Sequence, residues 1–173
     1  MTNITLDKTM KIIVVMPAYN SEKTLENVFK RFTQRVMKKI YKFIVVNDGS
    51  TDNTLKILKK LEKKYRKIKV LNHKRNKGYG AAQKTGFSEA LKEKANLVVL
   101  LHSDGQYAPE EIEKLVKPIE KGKAEIVLGS RALRGSMVRE GMPLVKYLGN
   151  RILTKIQNFL VNANLTEYHT GYR

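Results

Sequence analysis

Short aliphatic runs alternate along the chain with stretches whose apolar residues recur at helical spacing. The aliphatic runs, which are typical of buried strands, are residues 11–16, 43–46, 68–71, 97–101 and 125–128. Most of these runs end in a polar loop, and a helical pattern follows. This alternation predicts βαβ units, and therefore an α/β fold with a mostly parallel central sheet flanked by helices. We expect residues 11–173 to form one domain, truncated at its C-terminal end, after a flexible segment of residues 1–10.

The helical patterns place apolar residues three or four positions apart. They lie at residues 25–36, 55–65, 80–94, 112–119 and 144–160. The first should begin at an N-cap formed by Asn20 or Ser21, because both side chains can accept a hydrogen bond from a first-turn amide.

The stretch most informative for function is residues 97–106, where five aliphatic residues give way to polar ones. Ligands bind at the carboxyl edge of open α/β sheets. A hard divalent cation takes oxygen ligands such as Asp104, and it tolerates an amide oxygen such as that of Gln106. The alternative is a strand that ends in a common Asp-Gly turn.

Three further loops carry polar side chains to the same predicted edge. Asp48 directly follows a strand, so its carboxylate is placed to accept hydrogen bonds from a nucleobase or a ribose. Asp52 is explained equally well as a helix cap. Gly80 lies in a glycine-containing loop at a helix start, where backbone amides can approach phosphate; the alternative there is a tight turn with close helix packing through Gly86.

Composition narrows the function classes without choosing among them. The 173 residues include 34 Lys and Arg against 16 Asp and Glu, for a formal charge of +18, and no Cys. Disulfides and thiolate zinc sites are therefore excluded. The charge favours anionic partners, but no zinc-finger, RNP or basic-zipper pattern indicates nucleic acid. No apolar run approaches the roughly 18 residues of a membrane-spanning helix.

The helical pattern of residues 144–160 is amphipathic, with Lys146, Arg151 and Lys155 off its main apolar stripe. Such a helix either packs on its own domain or lies on an anionic membrane surface. We expect a cytoplasmic protein, with peripheral contact to the membrane as the alternative state.

Six blocks of sequence, each weak alone, resemble in order the family 2 glycosyltransferases of the GT-A fold. The resemblance is strongest to the branch that uses dolichyl or polyprenyl phosphate. The blocks are residues 17–20 (PAYN), 47–52 (NDGSTD), 76–82 (NKGYGAA), 102–106 (HSDGQ), 129–131 (GSR) and 167–173 (EYHTGYR). Together they span almost the whole chain.

The resemblance implies a role for each matched position. It implies a nucleotide-sugar pocket formed by Pro17, Ala18, Tyr19, Glu22, Asp48, Gly80, His102 and Asp104. It implies Mg²⁺ or Mn²⁺ held by Asp104 with Gln106, and catalytic groups at Asp104, Arg131, Glu167, His169 and Arg173, of which the two arginines hold phosphate. One departure is His102, which stands where the family's Asp-x-Asp motif usually has its first aspartate.

The implied reaction is an inverting, metal-dependent transfer of a hexose from a nucleoside diphosphate sugar to a polyprenyl phosphate. UDP is favoured over GDP because the 102–106 and 167–169 blocks look closer to the glucosyl branch. A phosphate acceptor is already anionic, whereas a hydroxyl acceptor needs a base, for which Glu167 or His169 would serve. The alternatives are transfer to a sugar hydroxyl, a catalytically impaired nucleotide-sugar-binding domain, a nucleotidyltransferase and a nucleic-acid binder.

Overall fold

A computed structural model describes residues 10–130, 143–168 and 170–173. The chain divides into two compact units, Met1–Val127 and Leu128–Arg173, which are taken separately below. Of the predicted N-terminal segment only Met10 is described. The prediction of one domain over residues 11–173 stays a prediction.

The first unit is built on a four-stranded parallel sheet. Its strands are β1 (Ile12–Ala18), β2 (Ile40–Asn47), β3 (Ile68–Asn72) and β4 (Leu97–Leu100), in the order β3-β2-β1-β4. The β1 residues are all buried, which explains their unbroken aliphatic run. The predicted α/β class with a parallel sheet is confirmed.

Helices connect the strands and flank the sheet. In chain order they are α1 (Leu25–Arg31), α2 (Gln34–Lys39), α3 (Thr54–Lys64), α4 (Tyr79–Lys92), a 3₁₀ turn (Pro109–Glu111) and α5 (Ile112–Glu120). The second unit is separate from this set and contains α6 (Leu144–Val161). The Asp52 carboxylate accepts the Thr54 backbone amide at 2.9 Å, as predicted for a cap, but the N-cap residue of α3 is Asn53, one position later.

Helix α4 packs directly on the sheet because it presents a glycine there. A Cβ at Gly86 would lie 2.3 Å from Cγ1 of Val15 in β1, so only glycine allows this approach. Ala82 and Ala90 extend the same small-residue face into a core formed with β1, β2 and β4. The close packing predicted through Gly86 is confirmed.

Three predictions of local structure are wrong. The stretch predicted as one helix over residues 25–36 is two, because Phe32 leaves the helical conformation and the Thr33 hydroxyl caps α2 by accepting the Val36 amide at 3.2 Å. The α1 N-cap is Thr24 rather than Asn20 or Ser21. Residues 125–128 form no strand; Ile126 is 76% exposed, so this aliphatic run is not in the core.

In the second unit, the predicted amphipathic helix is confirmed as α6. Its inner face is polar: Asn150 and Asn158 hydrogen-bond to residues 165–168 of the same unit. Its apolar stripe is 50–72% exposed and consists of Leu144, Leu148, Ile152, Ile156 and Leu160. Within the described part of the chain, no helix has the length and apolar character needed to cross a bilayer.

Candidate functional site

A cleft of about 230 Å³ opens at the carboxyl edge of the sheet, where the ends of β1, β2 and β4 meet the start of α4. The residues lining it come from β1, from α4 and from the loops that follow the four strands: Pro17, Ala18, Tyr19, Ser21, Asp48, Asn76, Tyr79, Ala82, His102, Ser103 and Asp104. Six of the predicted site residues are therefore brought together: Pro17, Ala18, Tyr19, Asp48, His102 and Asp104. This is the ligand edge expected of a parallel sheet.

The loop after β4 places Asp104 and His102 side by side at the cleft. His102 Nδ1 lies 3.8 Å from Asp104 Oδ2, and the Asp104 side chain is 43% exposed. The backbone N–H of Gln106 donates to Asp104 Oδ1 at 3.0 Å, across a turn in which Gly105 has φ +80°. Partial burial opposes the ionisation of Asp104. The contact with His102 and the hydrogen bond from the backbone N–H of Gln106 outweigh this effect and lower the pKa of Asp104 below its ordinary 3.8.

Aromatic side chains hold the His102 ring from two sides. The Tyr79 hydroxyl lies 2.5 Å from His102 Nε2, and the two ring centroids are 4.9 Å apart, edge to face. Tyr107 packs edge-on against the same imidazole, with centroids 5.2 Å apart. The orientation of His102 is therefore fixed before any ligand binds.

Asp48 is buried at the end of β2 and surrounded by donors. His73 Nδ1 lies 2.6 Å from Asp48 Oδ1, and the Lys77 amide donates to the same oxygen at 3.0 Å. Burial opposes ionisation, but the hydrogen bonds from His73 and from the Lys77 and Gly78 amides outweigh it and lower the pKa of Asp48. Asp48 is therefore an ionised acceptor in the cleft wall.

A chain of hydroxyls joins the loops after β1 and β4. Ser103 Oγ donates to the Pro17 carbonyl at 3.0 Å and lies 2.8 Å from Ser21 Oγ, while Thr24 Oγ1 donates to the Ser103 carbonyl at 2.7 Å. These bonds fix the two loops that carry Tyr19 and Asp104. No site role was predicted for Ser21 or Ser103, because serine at such positions is typical of ordinary caps and turns.

Three predicted site residues of the first unit are not among those lining the cleft. The Glu22 carboxylate accepts hydrogen bonds from the backbone and side-chain N–H groups of Asn53, at 2.9 and 3.0 Å, and so supports the start of α3. Gly80 lies in the first turn of α4, between lining residues Tyr79 and Ala82. Gln106 is exposed.

In the second unit, Glu167 is buried at 1% exposure, with Oε1 3.4 Å from Asn150 Nδ2 of α6. Arg173 is exposed, and its Nε donates to the Thr170 carbonyl at 3.2 Å. Arg131 and His169 lie outside the described residues. The roles predicted for these four residues stay predictions.

The described residues contain no group of three or more His, Asp or Glu side chains placed to hold a metal ion. Asp104 and His102 therefore offer at most two ligands at the cleft. That donor set, a carboxylate oxygen and an imidazole nitrogen, fits Mn²⁺ when a ligand's own oxygens and water complete the shell.

A model of the family described as glycosyl transferase family 2 matches residues 13–173. The UDP-N-acetylglucosamine–dolichyl-phosphate N-acetylglucosaminyltransferase of Methanococcus voltae is 35% identical over 174 aligned positions, which cover 94% of this chain and 68% of that protein. The dolichol-phosphate mannosyltransferase of Pyrococcus furiosus is 34% identical over 139 positions, covering 80% of this chain and 38% of that protein.

Solved structures give a consistent result. The glucosyl-3-phosphoglycerate synthase of Mycobacterium tuberculosis, in complex with Mn²⁺, UDP and glucosyl-3-phosphoglycerate, has a TM-score of 0.51 and 25% sequence identity. The similarity covers 64% of this chain and 39% of that one. The chain thus spans only part of the length of each protein that it resembles.

Proposed function

The chain belongs to glycosyl transferase family 2, and from this premise we propose that it transfers a hexose from a nucleoside diphosphate sugar to a polyprenyl or dolichyl phosphate. We propose UDP as the nucleotide and inversion at the sugar's anomeric carbon. The observation that carries the proposal is the cleft itself, which sets two ionised carboxylates, Asp48 and Asp104, into the ligand edge of a parallel sheet.

The nucleoside would occupy the part of the cleft lined by Pro17, Ala18, Tyr19 and Asp48. An ionised carboxylate only accepts hydrogen bonds, so Asp48 suits a base that presents an N–H group, as both uracil and guanine do. The preference for UDP rests on the sequence resemblance. Tyr19 is 48% exposed and offers its ring as a surface for the base or ribose.

The diphosphate would lie near Asp104 and His102, where a divalent cation is needed to offset its charge. Asp104 would hold the cation through an oxygen, and the His102 imidazole would supply a second ligand or a donor to the diphosphate. Bound there, Mn²⁺ or Mg²⁺ would act as a Lewis acid that stabilises the departing diphosphate. The amides at the start of α4 would add positive potential on the same side of the cleft.

A phosphate acceptor fits the second unit better than a hydroxyl acceptor does. A phosphate needs no general base, and Glu167, the described candidate for that role, is buried. Arg173 is exposed and permanently charged, so its guanidinium is suited to a phosphate of the acceptor. Arg131 is proposed for the same role from the sequence resemblance alone.

A panel of donors tests the proposal directly. We expect a UDP-sugar with Mn²⁺ to raise the melting temperature by about 5–10 °C at a hundred times its dissociation constant. The matching GDP-sugar should give a smaller shift, and omitting the cation should reduce both. No shift with any nucleotide sugar contradicts the proposal, whereas stabilisation without transfer to a polyprenyl phosphate would favour an impaired binding domain.

Peripheral membrane contact is part of the proposal because the acceptor is a lipid. Its support is the exposed apolar stripe of α6 together with three basic residues and no acidic residue on that helix. We expect the protein to co-sediment with vesicles that contain phosphatidylserine and to bind less to pure phosphatidylcholine. Replacing Leu148 and Ile152 by glutamate should abolish co-sedimentation; unchanged binding would rule out the α6 stripe as the contact.

A further inference from the structure

A chain of three hydrogen-bonded side chains runs from the cleft wall into helix α4. His73 Nδ1 lies 2.6 Å from Asp48 Oδ1, and His73 Nε2 lies 2.9 Å from Thr85 Oγ1. The His73 and Asp48 side chains are only 8% and 4% exposed. The three residues come from different elements: Asp48 follows β2, His73 follows β3, and Thr85 lies in α4.

Strand register brings the first two residues together. Asn47 pairs with Asn72 at the ends of β2 and β3, and the His73 amide donates to the Asn47 carbonyl at 2.9 Å. Asp48 and His73, which directly follow these two strands, therefore lie side by side. Only Asp48 of the three lines the cleft, so any influence of His73 or Thr85 on a ligand must pass through that carboxylate.

The chemistry of the partners assigns the protons. An ionised Asp48 can only accept, so His73 Nδ1 must carry a hydrogen. A neutral imidazole then has a lone pair on Nε2, which accepts the hydroxyl hydrogen of Thr85. The Thr85 hydroxyl thereby holds the far side of the His73 ring while Nδ1 donates to Asp48.

We propose that His73, held in place by the Thr85 hydroxyl at Nε2, is a positioning residue that fixes Asp48 for the nucleoside. The inference rests on the proposed function, since it takes Asp48 as the group that binds the base. His73 donates to Asp48 Oδ1 together with the Lys77 amide, so the carboxylate is oriented before the nucleotide arrives. Such preorganisation increases affinity because less motional freedom is lost on binding.

Paired variants at each position test this through UDP affinity, measured by isothermal titration calorimetry. Thr85→Val removes the hydroxyl at nearly constant volume, and we expect UDP to bind about three- to tenfold more weakly, the range for one lost hydrogen bond. Thr85→Ser keeps the hydroxyl and should bind as the wild type does. His73→Leu should weaken binding at least as much as Thr85→Val, whereas His73→Asn keeps an N–H donor near Nδ1 and should bind more tightly than His73→Leu.

The tautomer is measured independently, without nucleotide, from the long-range ¹H–¹⁵N correlations of the imidazole rings. We expect a single Nδ1–H form for His73, assigned by its absence in His73→Asn. In Thr85→Val that form should persist, and the Nε2 signal should move because its hydrogen bond is lost. Thr33→Val is the matched control, because it removes one hydroxyl hydrogen bond at the α2 cap. It should lower the melting temperature while leaving the His73 signals and UDP affinity unchanged.

The results separate the two levels of inference. If the wild type binds UDP and both Thr85→Val and His73→Leu bind it equally well, the positioning role is wrong and the proposed function stands. An Nε2–H tautomer for His73 in the wild type also overturns the positioning role. If the wild type binds neither UDP nor GDP, the proposed function fails and the positioning role fails with it.

Discussion

Replacing Asp104 with asparagine is expected to slow sugar transfer about a hundred- to a thousandfold while leaving the fold intact. The side chain is 43% exposed, and asparagine keeps an Oδ1 that can accept the Gln106 amide, so the turn after β4 survives. What is lost is the negative charge that would hold the cation under the diphosphate. The measurement is transfer of labelled sugar from a UDP-sugar to a short polyprenyl phosphate across a Mn²⁺ titration.

A second readout distinguishes loss of cation binding from loss of chemistry. Mn²⁺ binding in the presence of UDP, followed by electron paramagnetic resonance, should weaken in Asp104→Asn in parallel with activity. The control is Glu110→Gln, which removes a carboxylate from a half-exposed surface ion pair with Arg31 and should stay within about twofold of the wild-type rate. Transfer by Asp104→Asn at the wild-type rate would show that the cation, if one is used, is held elsewhere.

At the proposed cation site, His102 would influence which cation binds. A carboxylate at that position would add a second hard oxygen ligand, whereas an imidazole is a borderline ligand that suits Mn²⁺ better than Mg²⁺. Tyr79 and Tyr107 fix the ring, and its Nδ1 faces Asp104. The histidine that the sequence resemblance marks as a departure is thus held in the cleft wall by two aromatic side chains.

The sheet and the cleft were predictable from sequence because both follow from patterns that lie within short stretches. Aliphatic runs separated by helical repeats predict parallel strands, and the carboxyl ends of such strands share one edge. Asp48 and Asp104 each lie just after such a run, so placing them at that edge required no knowledge of how the strands pair. The family resemblance added roles to positions that the pattern had already selected.

The rest depended on contacts between distant residues. His73 was not identified because its partner lies 25 positions away, and only the register of β2 against β3 brings them together. Glu22 was predicted to line the pocket, but its carboxylate contacts Asn53, 31 positions away. The single helix predicted over residues 25–36 failed because periodicity does not distinguish a continuous helix from two short ones separated by a cap such as Thr33.

The second large effect is expected at Asp48, where one carboxylate would serve both stability and binding. Asp48→Asn removes the charge that accepts from His73 and from the Lys77 amide, and we expect a loss of about 2 kcal/mol in unfolding free energy, typical of a buried hydrogen bond to a charged group. UDP affinity should fall at least tenfold, because the asparagine side chain presents an N–H donor as well as an acceptor to the base. Chemical denaturation and calorimetry measure the two effects separately.

The pH dependence shows whether the charge of Asp48 is what stabilises the fold. Its pKa is lowered in the folded protein, so the unfolded chain takes up the proton first as the pH falls. The stabilisation is therefore complete above the ordinary carboxyl value of 3.8 and is lost as the pH drops through the lower folded value. Other described carboxyl groups also have lowered pKa values, so the acid sensitivity of wild-type stability does not by itself isolate Asp48. These groups are Asp52, Glu62, Glu89, Glu93 and Asp104. The difference in unfolding free energy between wild type and Asp48→Asn separates it from these carboxyl groups: we expect that difference to shrink as the pH falls below 3.8. A difference that persists unchanged into acid would mean that the shape of the side chain, rather than its charge, holds the end of β2 in place.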